Sequence, residues 1–152
     1  MMLVIGSDHG GLELKQAVKQ ALEARGVEVA DFGTDNGDSV DYPDFAEKVA
    51  LAISNGKAEK GILVCGTGIG MSIVANKFPK VRAALATDEF MAQMAKEHND
   101  ANILVLGGRV LNIDTAIRMV CVWLDSTYEG GRHQKRLDKI AQVEEAVRDA
   151  KR

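Results

Sequence analysis

Cys65 is followed by glycines at positions 66, 68 and 70, with Thr67 and Ile69 between them. Glycines in such a run let the backbone take positive φ and approach a ligand closely, so the amides of Gly66, Gly68, Ile69 and Gly70 are candidates to hold an anion. A thiol beside free amides can act as a base or nucleophile. The same stretch also reads as a tight turn with a core cysteine, because free cysteine is among the most buried residue types. Elsewhere the chain offers Asp8-His9, His98-Asn99, Arg109, and Arg132 with Arg136 one helical turn later. That last spacing puts both arginines on one helix face. Guanidinium forks suit phosphate, an imidazole moves protons near neutral pH, and an amide nest steadies an oxyanion. Together these groups suit a phosphorylated substrate whose carbon chemistry involves proton transfer. Each also has a plainer reading. Asp8 reads as a turn or capping residue, Arg132 and Arg136 as solvated charges beside Glu129 and Asp138, and His133 as a surface or hydrogen-bonded residue.

Positioning these residues requires alternating strands and helices. Met2 to Gly6 reads as a buried strand, and Leu12 to Arg25 as a helix stopped by Gly26. Val27 to Phe32 is a second strand, and a helix opens at Asp41-Tyr42-Pro43-Asp44 and runs to about Ser54. Gly61 to Cys65 is the third strand, with a short helix after the glycines that closes at Pro79. Val81 to Ala86 and Asn102 to Leu106 are strands on either side of a helix from Asp88 to Glu97. A helix from about Ile113 to Leu124 and a charged one from His133 to Ala150 complete the chain. Strands apolar on both faces belong to a parallel sheet covered by helices. The expected fold is therefore an α/β three-layer sandwich, with a Rossmann-like five-stranded parallel sheet and an extra C-terminal helix, forming one domain over residues 1–152. Such folds bind ligands outside the C-terminal strand ends. On that rule Asp8, His9, the Cys65–Gly70 run, His98, Asn99 and Arg109 are expected at one rim, with Arg132 and Arg136 joining from the C-terminal loop and helix. The last helix has a thin apolar stripe, Leu137, Ile140, Val143 and Val147, laid either on its own sheet or on another subunit.

Bulk properties narrow the classes. The formal charge is −3 and no basic block occurs, which argues against nucleic acid as a partner. Cys65 and Cys121 form no metal-type pair and fit a reduced, cytoplasmic protein. The N-terminus lacks the basic start of a signal peptide, and no apolar run approaches the roughly 20 residues that span a bilayer. A Walker loop needs Lys where Met71 stands, and a dinucleotide fingerprint needs a third glycine at that same position. A cysteine phosphatase would need Arg there, and a phospho-acceptor receiver would need Asp in place of Cys65. No His, Cys or Asp cluster has metal-ligand spacing.

The motifs Gly6-Ser7-Asp8-His9-Gly10-Gly11, Asp41-Tyr42-Pro43-Asp44, Cys65-Gly66-Thr67-Gly68-Ile69-Gly70-Met71-Ser72, Asn76-Lys77, Arg82-Ala83-Ala84, His98-Asn99-Asp100-Ala101-Asn102 and Gly107-Gly108-Arg109 occur in that order. Together they resemble the type B ribose-5-phosphate isomerases, relatives of the galactose-6-phosphate isomerase subunits. The resemblance spans nearly the whole chain. It implies an aldose–ketose isomerase without metal or other cofactor, working as a homodimer or homotetramer with shared sites. Carried over to this sequence, Cys65 is the base that moves a proton between C2 and C1. Gly66, Gly68, Ile69 and Gly70 form the amide cradle, with Thr67 assisting. His98 opens the furanose ring and Asn99 holds a sugar oxygen. Asp8 binds or helps open the sugar, and His9 lies near the phosphate. Arg109, Arg132 and Arg136 bind phosphate and sugar, the last two from the partner subunit. Some members of the family replace the cysteine and use a glutamate elsewhere; this chain keeps the cysteine. The resemblance leaves a six-carbon substrate, allose 6-phosphate or galactose 6-phosphate, as an alternative. The galactose 6-phosphate enzymes need two different chains, whereas this chain carries all the expected groups. A non-catalytic phosphate- or nucleotide-binding module is the reading from another class.

Overall fold

The computed structural model describes residues 2–150. Strands β1 (Met2–Ser7), β2 (Glu28–Asp31), β3 (Lys60–Cys65), β4 (Ala83–Leu85) and β5 (Ile103–Gly107) form one sheet in the order β2-β1-β3-β5-β4. All four pairings are parallel. Helices α1 (Leu12–Ala24), α2 (Tyr42–Ser54), α3 (Ile69–Ala75), α4 (Glu89–Glu97) and α5 (Ile113–Asp125) connect and cover the strands, and α6 (Arg132–Ala150) follows. The expected sandwich is the observed one.

Alternation along the central strands makes the layers. Leu3 and Ile5 of β1, with Val64 of β3, face a core filled by Val18 and Leu22 of α1 and by Met119 and Trp123 of α5. Val4, Leu63 and Cys65 face the opposite core, against Val49 and Ile53 of α2 and Met71 of α3. Trp123, fully buried, donates its Nε1–H to the carbonyl of Ala101 at 3.1 Å, so its one polar group is satisfied.

The order of the strands decides where a ligand sits. From β1 the chain crosses to β2 on one side, and β3 then pairs on the other side of β1. The loops after β1 and β3 therefore part over the sheet, which leaves a crevice at their C-terminal ends. Asp8-His9 follows β1 and Cys65 closes β3.

Beneath that crevice lies a buried ion pair. Lys15 of α1, only 1 % exposed, places Nζ 2.7 Å from Asp31 Oδ1 and 2.6 Å from the carbonyl of Thr34. Burial alone would raise the Asp31 carboxyl, but Lys15, the Gly33 amide and Lys19 together hold it below its ordinary value. Among the described residues no helix is long and apolar enough to cross a membrane.

Candidate active site

At the C-terminal rim, Cys65 is buried at the end of β3 and accepts a hydrogen bond from the Gly68 amide at 3.2 Å from Sγ. Gly68 has φ +83°, which favours glycine, and a Cβ there would stand 3.2 Å from the Leu106 backbone as well as 2.6 Å from the tip of Leu85. Thr67 Oγ1 accepts from the Ile69 amide at 3.3 Å, which sets the first turn of α3. Three loops converge backbone to backbone at this point. The Gly108 amide donates to the Cys65 carbonyl at 2.8 Å and the Arg109 amide to the Gly66 carbonyl at 2.9 Å. The Asp8 amide reaches the Val64 carbonyl at 3.3 Å.

Side chains close the rim. Asp8 Oδ1 accepts from the Gly11 amide at 3.0 Å, so its turn-capping role is real and fixes the carboxylate. A Cβ on Gly10 would lie 3.4 Å from both Asp8 Oδ1 and an Arg109 guanidinium nitrogen, and one on Gly66 would lie 3.2 Å from another nitrogen of Arg109. Arg109 is therefore folded over the glycine turn beside Asp8. His9 Nδ1 accepts from the Val40 amide at 3.2 Å, which leaves the ring proton on Nε2. Tyr42, at the start of α2, sets its ring against Gly70. The sequence reading gave Tyr42 only a place in a motif, and no spacing signals its position at the rim. Asp8, His9, Cys65, Gly66, Thr67, Gly68, Ile69, Gly70 and Arg109 thus gather as expected.

The remaining residues do not join them. His98 is the C-cap of α4, and Asn99 follows it before β5. A crossover helix runs antiparallel to its strands, so its C-terminus lies at the N-terminal rim of the sheet. The expectation of one shared rim is corrected on this point. At about 3.3 Å per residue, β5 alone separates the two rims by roughly 13 Å. At the N-terminal rim, His98 stacks on His133 with ring centroids 4.1 Å apart and 15° between planes. His133 is only 6 % exposed and sets Nε2 against Glu129, so of its two plain readings the partnered one holds and the surface one does not. Glu129 Oε1 lies 3.4 Å from His98 Nε2 and 3.3 Å from His133 Nε2. The Asn99 carbonyl accepts from Arg82 Nε at 3.2 Å. Arg132 opens α6, and Arg136 stands one turn on, both exposed.

Within one chain the candidate groups therefore form two half-sites. One holds a thiol, a carboxylate, an imidazole, a guanidinium and an amide turn. The other holds an imidazole pair and two guanidinium groups. Between α6 and the β4 edge runs an open groove of about 860 Å³, lined by Leu137, Ile140, Val143 and Val147 opposite Pro79 and Val81. Ile140, Val143 and Val147 are more than half exposed there. The stripe does not bury itself on its own sheet. At the groove's edge the Lys80 amide donates to the Glu144 carboxylate, at 3.1 and 3.2 Å from its two oxygens.

Residues 3–140 match the family model described as Ribose/Galactose Isomerase. The chain is 45% identical over 143 residues to "Ribose-5-phosphate isomerase B" of Escherichia coli (strain K12), covering 94% of this chain and 96% of that protein. Its fold superposes on the ribose-5-phosphate isomerase B of Clostridium thermocellum with a TM-score of 0.95 and 52% identity, over 97% of this chain and 99% of that one. It also superposes on the ribose-5-phosphate isomerase B of Mycoplasma genitalium with bound ribulose-5-phosphate, with a TM-score of 0.91 and 41% identity, over 95% and 96% of the two chains.

Proposed function

The chain belongs to the ribose/galactose isomerase family, and from that premise we propose that it is an aldose–ketose isomerase interconverting ribose 5-phosphate and ribulose 5-phosphate in a site shared between two copies. The observation that carries the reading is the buried Cys65 thiol set against the Gly68 amide, in a turn where Asp8 and Arg109 converge. Similarity to a structure holding ribulose-5-phosphate supports the five-carbon substrate.

In this reading each half-site supplies what the other lacks. His98 of a second copy passes a proton at the ring oxygen and opens the furanose, with Asp8 across the sugar. Asn99 holds a sugar oxygen. Cys65 then takes the C2 proton and returns it at C1, while the hydroxyl proton on O2 passes to O1. The C2 proton is weakly acidic, so the charge that develops on the enediolate must meet donors already in place. The amides of Gly66, Gly68, Ile69 and Gly70 are such donors, with Thr67 holding their turn. His9 and Arg109 from one side, and Arg132 and Arg136 from the other, neutralise the phosphate. Holding it at a fixed distance from Cys65 spares the entropy of orienting a flexible chain. No residue in the scheme requires a metal.

The groove along α6 supports the shared site. A second copy that covers Ile140, Val143 and Val147 also brings Arg132 and Arg136, on the same helix, toward a foreign C-terminal rim. A homodimer or homotetramer satisfies this condition, in a reducing compartment that keeps Cys65 as the thiol. Turnover of ribose 5-phosphate in excess chelator, beside Cys65→Ala, tests the assignment. Activity that resists the chelator and disappears with the substitution is expected. Activity on allose 6-phosphate or galactose 6-phosphate alone would move the substrate, and binding without any turnover would reduce the protein to a binding module.

A further inference from the structure

His98, Glu129 and His133 come together from the end of α4, the loop before α6 and the first turn of α6, and no sequence spacing announces them. Their three ligand atoms all lie within 4.8 Å of one another. The contacts of Glu129 Oε1 with His98 Nε2 and His133 Nε2 measure 3.4 and 3.3 Å. Ligands held tetrahedrally about 2.0–2.1 Å from a zinc ion stand about 3.3–3.4 Å from one another, so two edges of a coordination tetrahedron already exist. The third edge is open, because the two imidazole rings lie stacked, 15° from parallel, and do not converge on one point. Closing it takes a turn of His98, whose side chain is 36 % exposed, toward His133, whose side chain is 7 % exposed and fixed. Backbone bonds hold the frame: the Glu129 amide donates to the Glu97 carbonyl and the His133 amide to the Gly130 carbonyl, each at 3.0 Å.

We infer that His98, Glu129 and His133 form an inhibitory site for one divalent transition-metal ion of the zinc class. Two imidazoles and one carboxylate suit zinc and its neighbours, whereas calcium and magnesium require mostly oxygen. Three protein ligands leave a fourth position for water. A metal on His98 Nε2 occupies the nitrogen that must exchange a proton with the sugar, so the bound ion stops ring opening. This inhibitory consequence rests on the isomerase reading; the binding does not. Cys65 is the competing ligand: it lies at the other rim of its own chain but faces His98 of a second copy in the proposed shared site, so a thiolate band tells the two apart.

Cobalt(II) titrated into the purified, assembled protein reads the site directly. One ion per chain is expected, with visible bands of nitrogen–oxygen ligation and no thiolate charge-transfer band. Glu129→Gln and His133→Asn, checked for wild-type circular dichroism and oligomer size, weaken binding at least about tenfold, and Cys65→Ser leaves it unchanged. Zinc displaces the cobalt and suppresses turnover of ribose 5-phosphate, and a chelator restores it. A thiolate band, equal affinity in all three variants, or no binding at millimolar cobalt overturns the site. Zinc that binds there without slowing turnover overturns the inhibition. A protein inactive on every sugar phosphate overturns the isomerase reading, while the cobalt spectrum still judges the site.

Discussion

At the C-terminal rim the groups that would touch a reacting sugar are held mostly by backbone. Loops after β1, β3 and β5 are clipped together by amide–carbonyl bonds such as Gly108 to Cys65 and Arg109 to Gly66. At the N-terminal rim the groups are side chains on helix ends: His98 capping α4, and Arg132 and Arg136 exposed on the first turns of α6. The first half-site inherits its precision from the register of the sheet. The second is defined by two helix ends, one loop and a ring stack, and its arginines are exposed. In the proposed reaction the donors that must stay fixed come from the backbone-clipped rim, and the exposed arginines of the other rim meet the phosphate.

Breaking the rigid rim has the largest expected effect. Cys65→Ala lowers kcat by about 10³-fold or more while KM stays within about threefold, measured by steady-state kinetics on ribose 5-phosphate. Parallel loss in both constants would assign Cys65 to binding instead. Next comes the support beneath that rim. Asp31→Asn leaves the buried Lys15 ammonium without its carboxylate and costs about 3 kcal/mol in urea unfolding. The wild-type pair also sets an acid limit. Because the folded carboxyl lies below its ordinary value of 3.8, its stabilisation is complete above that pH and fades as pH falls through the lower folded value. Asp31→Asn removes that part of the acid dependence, and an unchanged acid slope would exclude Asp31 as its source. A smaller pair of changes sharpens the contrast between the rims. Gly68→Ala meets both a positive φ and Leu85, and costs roughly 2 kcal/mol together with activity. Gly131→Ala, with φ +56° and nothing within 4 Å, costs only about 1 kcal/mol. Equal losses at the two positions would erase the distinction between a packed rim and an open one.

The sequence made the two rims unequally visible. Cys65 to Gly70 is contiguous, so its turn, its amides and its thiol are read directly from residue order. The central strands are equally plain, because Leu3 to Ile5 and Ile62 to Val64 are apolar at every position. The edge strands are shorter than expected: β2 is Glu28–Asp31 rather than 27–32, and β4 is Ala83–Leu85 rather than 81–86. Each pairs on one side only, so its ladder ends sooner. The second half-site is assembled across the chain. Residues on either side of a strand look alike in sequence, but only those after it reach the C-terminal rim, and His98 precedes β5. His133 was hidden among charged neighbours, since its burial comes from a ring far away in sequence. The apolar stripe of α6 was legible, and the groove it leaves open favours the reading that needs a second copy.

Subunit mixing tests the shared site most directly. Inactive His98→Asn chains are refolded together with inactive Cys65→Ala chains, and separately with inactive Arg136→Ala chains. If His98 and Arg136 belong to one half-site and Cys65 to the other, the first mixture regains about a quarter of wild-type turnover, because half the dimers are mixed and each has one intact site. The second mixture regains nothing, since both lesions fall in the same half. Recovery in the second mixture but not in the first would contradict the division of the site between two copies.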